Sequence, residues 1–325
     1  MNERTALPNA AERVAGAITA LFVPGDRPDR YAKAAAAGAD LVIVDLEDAV
    51  RPEQRPAALA AVLAALAPDG SGLTPPGSGL ATGSLERGGE RFRALVRING
   101  EQDKRHRTEL AALAELAERA GHGLLGIMLA KAEDPHRLAE LAERLAGASR
   151  APLGLIPLVE SARGVLAAAE LARVPGVTRL AFGALDLALD IDASDSGPTV
   201  AAARAQVVLA GRAARIAGPL DTPSLAIDDR AEVTAAANRA RAAGCTGQLC
   251  IHPRQIEPVR DAFRPTAEQL RWARRVAAVG DAAVQLDGMM IDRPVTERAR
   301  RILARAGETA EPPTANSGPP GSTSD

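Results

Sequence analysis

The chain has 325 residues, 46% of them hydrophobic and 25% charged, the proportions of an ordinary globular protein long enough for one large domain with an appendage. A count of 39 Lys and Arg against 41 Asp and Glu leaves a net charge of −2, so no global positive field draws nucleic acid or an anionic membrane. Aromatic residues make up only 2%, which argues against base-stacking readers of single-stranded nucleic acid and calls for an aliphatic core.

The two cysteines, Cys245 and Cys250, are too few for a disulfide framework or a Cys-rich zinc site. The longest apolar run, residues 57–67, lies between Pro56 and Pro68 and is far short of the ~20 residues that span a bilayer. The first sixteen residues carry Glu3, Arg4, Glu12 and Arg13 with no compact apolar block, unlike a signal peptide. The expectation is a cytoplasmic protein in a reducing compartment.

In chain order, short β-branched or aliphatic runs fall at residues 19–24, 41–45, 94–99, 126–131, 153–160 and 179–183, with weaker ones at 219–227 and 247–253. Helical patterns lie between them at 107–120, 135–146, 162–171, 200–217 and 229–243. Strand–helix alternation repeated eight times predicts an α/β fold, a (β/α)8 TIM barrel, over a doubly wound sheet. No G-x-G-x-x-G follows the first strand, which weakens the dinucleotide-binding alternative. The expected organisation is an N-terminal lead at 1–16, a barrel at 17–264, a C-terminal helical extension at 265–307 and a disordered tail at 308–325. Residues 68–89, dense in Gly, Pro, Ser and Thr, read as a flexible insertion. The extension contains two helical stretches joined near residues 288–292.

Active sites of such barrels lie at the C-terminal ends of the strands. Those ends carry Asp26, then Asp45, Glu47 and Asp48, then Arg97 and Asn99, then Lys131, Glu160, Asp186, Asp221 and His252. Glu160 and Asp186 end adjacent strands, which run ~4.8 Å apart, so the two carboxylates can share a hard cation such as Mg²⁺ or Mn²⁺. The plainer alternative is that each acid caps the helix that follows it. Arg97 interrupts the apolar run 95–98, so its guanidinium needs a partner: a substrate carboxylate or enolate oxygen, a structural ion pair with Asp45 or Glu47, or both. Lys131 could serve a Schiff-base aldolase or an ion pair. His252, before Pro253, could simply bond a backbone group.

These residues also match a family. LFVPGD at 21–26, VDLEDAV at 44–50, VRIN at 96–99, LAK at 129–131, PLVES at 157–161, FGALDL at 182–187 and IHP at 251–253 run in the family's order. The chain resembles the citrate lyase beta subunit-like branch of the HpcH/HpaI aldolase family, which includes malyl-CoA and citramalyl-CoA lyases, over residues 17–306. It departs at Ile18-Thr19, where Arg-Ser is usual, at Ala130, where Pro is usual, and at Ala184-Leu185.

The resemblance implies a Mg²⁺-dependent lyase that breaks or forms the C–C bond between a thioester α-carbon and a 2-oxo acid such as glyoxylate or pyruvate. Glu160 and Asp186 fall on its metal ligands and Arg97 on its substrate arginine. The amides of Gly183, Ala184 and Leu185 would meet the oxo-acid carboxylate, with Asp221 a further substrate contact. Asp292 matches an acid/base that relatives supply from a neighbouring subunit; Asp45 and Glu47 are its companions as catalytic acids. Phe22, Arg30, Lys33 and Pro253 would border the CoA part. A homotrimer, or a dimer of trimers, follows from the extension. The alternatives are a subunit acting on an acyl-carrier-protein thioester and a non-catalytic barrel that binds CoA esters.

Overall fold

The computed structural model describes residues 8–68, 91–279, 284–286 and 289–308. The expected insertion, apart from Pro68, the expected tail, apart from Glu308, and the first seven residues of the lead lie outside the described residues. The chain divides into two compact units, Met1–Phe263 and Arg264–Asp325.

The first unit is a closed, all-parallel barrel of β1 (Thr19–Pro24), β2 (Leu41–Asp45), β3 (Ala94–Ile98), β4 (Leu124–Leu129), β5 (Gly154–Val159), β6 (Arg179–Phe182), β7 (Ala217–Asp221) and β8 (Gly247–Cys250). Around it run α2 (Tyr31–Ala36), α3 (Arg55–Leu66), α4 (His106–Glu118), α5 (Pro135–Ala148), α6 (Ala162–Leu171), α7 (Ala184–Asp190), α8 (Pro198–Ala213), α9 (Arg230–Ala243) and α10 (Ile256–Phe263). The two-residue period of each strand divides its side chains between two cores. Ala20, Leu41, Ile43, Leu95, Ile156, Leu158, Ala181, Leu220 and Leu249 form one cluster, the barrel interior. Their strand neighbours Val42, Val44, Val96, Val159 and Phe182 join Val62, Leu113, Leu141 and Val165 of the helices in the other.

The lead contains a helix, α1 (Ala10–Gly16), that closes the N-terminal end of the barrel. Asn9 and Glu12 form its capping box, each side chain accepting the other's backbone N–H at 2.9 Å. Val14 enters the interior cluster, and Gly154 leaves room for it, since a Cβ there would lie 2.6 Å from a Val14 methyl. Arg179, at the start of β6 and wholly buried, donates to the carbonyls of Val14 and Ala17 and, on β7, of Gly218. With one end plugged, the strands' C-terminal ends form the open mouth.

The second unit pairs α11 (Ala267–Val279) with α12 (Arg293–Arg305) through Ala273, Val276, Ile291, Ala299, Ile302 and Leu303. The joint between them is an antiparallel pair of strands, β9 (Val284–Leu286) and β10 (Met289–Ile291). Asp292 then caps α12, its side chain accepting the N–H of Val295 at 3.3 Å. Among the described residues no helix is long and apolar enough to cross a membrane.

Candidate active site

Register places Asp45 opposite Arg97 on the neighbouring strands β2 and β3, so the two side chains rise from the same face of the sheet. Arg97 Nε and Nη2 donate to the two Asp45 oxygens at 2.6 and 2.7 Å, a bidentate fork. Asp45 also accepts the N–H groups of Glu47 and Ala49, which turns the chain sharply after β2. The remaining nitrogen, Nη1, lies 3.1 Å from Glu47 Oε2 and 3.8 Å from Asp48. The Phe22 ring stands 4.8 Å below the guanidinium carbon. Burial opposes the charge on Arg97, but Asp45, then Glu47 and Glu160, outweigh it and hold the group more firmly protonated than usual.

Lys131 follows β4 with φ +49°, the left-handed region that a side chain rarely occupies. That turn aims its N–H at Glu160 Oε1, 2.8 Å away, while its ammonium pairs with Glu47 Oε1. Although burial pulls the Lys131 pKa down, Glu47, Asp48 and Glu160 together raise it. A Schiff-base lysine needs the opposite shift, toward a neutral amine, so the ion-pair reading of Lys131 is the one the geometry supports.

Glu160 ends β5 and is 3% exposed. It does not cap α6; Ser161 does, accepting the Gly164 N–H at 3.1 Å. Burial, then the charges of Glu47 and Asp186, push its carboxyl up to about 8, with Arg97 opposing. Asp186 lies in the first turn of α7 without acting as its cap, because that position is Gly183. Gly183 makes room for Glu160: a Cβ there would stand 2.6 Å from Glu160 Cβ and 2.7 Å from Oε2. The Gly183 N–H donates to the Val159 carbonyl at 3.0 Å, so it is not the free anion donor expected of it. Ala184 and Leu185 begin α7, where N–H groups have no intrahelical acceptor.

Asp221 departs from the expected role. Leu220 points into the barrel, so the next side chain along β7 faces the helices, where Asp221 accepts from Arg204 Nε of α8 at 2.9 Å. Its substrate contact is therefore corrected to a buried ion pair. Phe22 borders the mouth beside Arg97; Arg30 and Lys33 are exposed on the segment after β1; Pro253 begins a short 3-10 turn. His252 caps that turn, with Nδ1 3.2 Å from the Arg254 N–H.

Three polar groups around the mouth were not singled out by sequence reasoning. Glu109 of α4, buried, accepts both the backbone and side-chain N–H groups of Asn99. Arg55 donates to Asn99 Oδ1 at 2.7 Å. Glu101 keeps Oε1 buried without a hydrogen bond. Only their charge could have marked them, Glu109 and Arg55 on helices and Glu101 in the turn after β3.

The donor set fits a hard divalent cation. Glu160, buried, and Asp186, half-buried, carry like charges that oppose each other, a conflict that a cation would relieve. Among the described residues no three His, Cys, Asp or Glu side chains form a group that could by itself hold a metal ion.

A parallel (β/α)8 barrel with clamped acids, an arginine and a lysine at the C-terminal ends of its strands is the architecture of a TIM-barrel enzyme. The HpcH/HpaI aldolase/citrate lyase family profile matches residues 19–68 and 89–253. The citrate lyase subunit beta-like protein of Mycobacterium tuberculosis is 37% identical over 300 residues, 89% of this chain and 95% of that one. The (3S)-malyl-CoA thioesterase of Cereibacter sphaeroides is 29% identical over 295 residues, 88% of this chain and 93% of that one. The crystal structure of CitE from M. tuberculosis in complex with magnesium, acetoacetate and coenzyme A superposes with a TM-score of 0.71 at 36% identity, covering 91% of this chain and all of that one. The chain belongs to the HpcH/HpaI aldolase/citrate lyase family and is a lyase-type enzyme.

Proposed function

We propose that this enzyme is a Mg²⁺-dependent C–C lyase that cleaves, or forms, a 3-hydroxyacyl-CoA such as malyl-CoA or citramalyl-CoA, giving acetyl-CoA and a 2-oxo acid. The observation that carries this reading is the buried Glu160 beside Asp186, held by the Lys131 N–H and facing the Asp45-clamped Arg97. The magnesium-, acetoacetate- and coenzyme-A-bound relative supports the ligand class.

Glu160 and Asp186 would hold the cation, which supplies Lewis-acid polarisation of the oxo-acid oxygens. Arg97 Nη1, the guanidinium nitrogen not taken by Asp45, would donate to the oxygen on which negative charge grows as the C–C bond breaks. Because Asp45 and Phe22 already fix that guanidinium, little reorganisation accompanies the step. Glu47, raised by burial and with Oε2 free of hydrogen bonds, would receive the proton of the substrate hydroxyl. The electron pair of the breaking bond passes to the thioester as its enolate, and Asp292 would protonate the α-carbon. The amides of Ala184 and Leu185 would bind the oxo-acid carboxylate, and Phe22, Arg30, Lys33 and Pro253 would flank the CoA. A homo-oligomer, a trimer or an assembly of trimers, would bring Asp292 from a neighbouring subunit.

The test is to supply malyl-CoA and citramalyl-CoA separately to the purified protein with Mg²⁺ and to quantify acetyl-CoA and the oxo acid. EDTA-sensitive cleavage of either is the expected result. Intact substrates in the presence of Mg²⁺ would overturn the free-CoA reading and favour a carrier-protein thioester.

A further inference from the structure

Asn99, the first residue past β3, has every polar group engaged. Its N–H and Nδ2 donate to Glu109 Oε2 and Oε1 at 2.9 and 2.6 Å, and Nδ2 donates also to the Leu46 carbonyl at 3.0 Å. Its Oδ1 accepts from Arg55 Nη1 at 2.7 Å, and its carbonyl lies 3.0 Å from His106 Nδ1. A guanidinium can only donate, so chemistry fixes the amide: oxygen toward Arg55, nitrogen toward Glu109. Asn99 and Glu109 are only 1% and 2% exposed, so neither is solvated surface.

A buried chain of acid, amide and guanidinium is costly unless every bond is made, and this one ends on a single short turn. Arg55 donates through Nη2 to the Glu47 carbonyl and through Nε to the Val50 carbonyl, both at 3.2 Å. With the Asn99 bond to Leu46, three carbonyls of the turn after β2 are held by side chains of β3's end and α3. The same turn gives its Glu47 and Ala49 amides to Asp45. Carbonyls are gripped by one set of partners and amides by another, and the side chain carried between them is Glu47. Its Oε1 pairs with the Lys131 ammonium, and its Oε2 lies 3.1 Å from Arg97 Nη1 without a hydrogen bond.

We propose that Glu109, Asn99 and Arg55 are positioning residues that fix the Glu47 carboxylate against Arg97 and Lys131. The catalytic consequence rests on the reading of Glu47 as the group that takes the substrate's proton. Misplacing a reacting group by ~1 Å costs about 100-fold in rate. Binding is spared, because Arg97 keeps its Asp45 fork and the carboxylates of Glu160 and Asp186 belong to β5 and α7. Loss of the network therefore appears in kcat and not in KM. Two variants break it without removing bulk. Arg55→Lys keeps the charge but cannot span the Glu47, Val50 and Asn99 oxygens at once. Glu109→Gln keeps the shape but offers one acceptor oxygen to two Asn99 donors.

The experiment measures kcat and KM with whichever of malyl-CoA and citramalyl-CoA is cleaved, with thermal unfolding as the check on folding. Each variant is expected to lose at least ~10-fold in kcat while KM stays within about twofold. In a Glu47→Gln background the same substitutions should cost nothing further, since no base remains to be misplaced. An unchanged kcat in both variants, or an undiminished loss in the Glu47→Gln background, would overturn the positioning role. Glu47→Gln with wild-type turnover, or no cleavage of either substrate, would instead overturn the reaction reading alone. In that case the crystal structure of Arg55→Lys decides: a Glu47 carboxylate displaced by ~1 Å or more upholds the network, and one left in place overturns it. Should one variant not fold, the other decides by itself.

Discussion

Glu101 is an acid whose folded environment disfavours its charge. Burial first, then Asp134, Glu133 and Glu140, lift its carboxyl from 4.5 to about 7 against the single opposing charge of Arg137. An acid raised in the folded state binds its proton more tightly there than in the unfolded chain, so stability is intact below about pH 4.5 and declines as pH climbs toward 7. The full shift from 4.5 to about 7 corresponds to ~3 kcal/mol, which partial exposure of the side chain reduces to about 1–2 kcal/mol. Glu101→Gln is therefore expected to be about 1–2 kcal/mol more stable than wild type at pH 8, with the gap closing near pH 5. Urea melts at the two pH values check this, and a gap independent of pH would reject it. Gly183 is a second case in which one atom matters. A methyl group would sit 2.6 Å from Glu160 Cβ, and displacement of a site carboxylate by about 1 Å costs about 100-fold in rate. Gly183→Ala should lose at least that much turnover, with a lower Mg²⁺ affinity by calorimetry. At this scale the sequence was informative wherever chemistry interrupts a strand: Asp45, Arg97, Lys131 and Glu160 were legible because a charge at the end of an apolar run needs a reason. Glu109 and Arg55 were not, because a charge on a helical pattern looks like solvent-facing surface until the fold turns it inward. Asp221 misled for a further reason: its side of β7 depends on parity, and the strand's start could not be fixed from an Ala-Gly-Pro opening.

Elements show where periodicity suffices. The runs at 19–24 and 41–45 coincide with β1 and β2, since each is a compact apolar block with polar residues beyond. The seventh strand was expected at 219–227 but occupies Ala217–Asp221; Pro223 has no N–H to give a ladder. The fourth ends at Leu129, because Lys131 takes a left-handed backbone conformation that no pattern in the sequence announces. Helix α7 is too short for a helical period to register, and the hairpin joint of the second unit is too short for alternation. The N-terminal helix was likewise invisible as a barrel plug, since what binds it, Gly154 against Val14 and the Arg179 guanidinium, lies far along the chain. Arg179 donates to Val14, Ala17, Gly218 and Thr246, with no carboxylate among these partners. Burial lowers its pKa to about 10, which still leaves it charged at neutral pH. Arg179→Met fits the space but strands the buried carbonyls of Val14 and Ala17, while Gly218 keeps the Thr246 hydroxyl, so a loss of about 3–5 kcal/mol is expected. Hydrogen exchange should locate the loosening at α1 and the start of β6. A loss below ~1 kcal/mol would mean that water replaces the guanidinium.

At the scale of the whole molecule, the question is whether the second unit completes the chemistry of the first. Asp292 is the residue that carries the answer, and its position as the cap of α12 makes a clean variant possible. Asn caps a helix about as well as Asp, so Asp292→Asn preserves the cap while removing a group that can give and take a proton. The expectation is unchanged thermal stability and Mg²⁺ affinity with turnover reduced at least ~100-fold, the contribution of a positioned acid or base. Glu160→Gln is expected to be silent for a different reason, loss of the carboxylate pair. If the acid acts across a subunit boundary, the two silent variants complement each other: in a co-expressed mixture, some sites combine an intact Glu160 with an Asp292 from the neighbouring chain, and activity returns. If Asp292 acts within its own chain, every site in the mixture lacks one group or the other and the mixture stays silent. Retained turnover in Asp292→Asn alone would instead remove the acid from the mechanism, leaving protonation of the enolate to the barrel's own carboxylates.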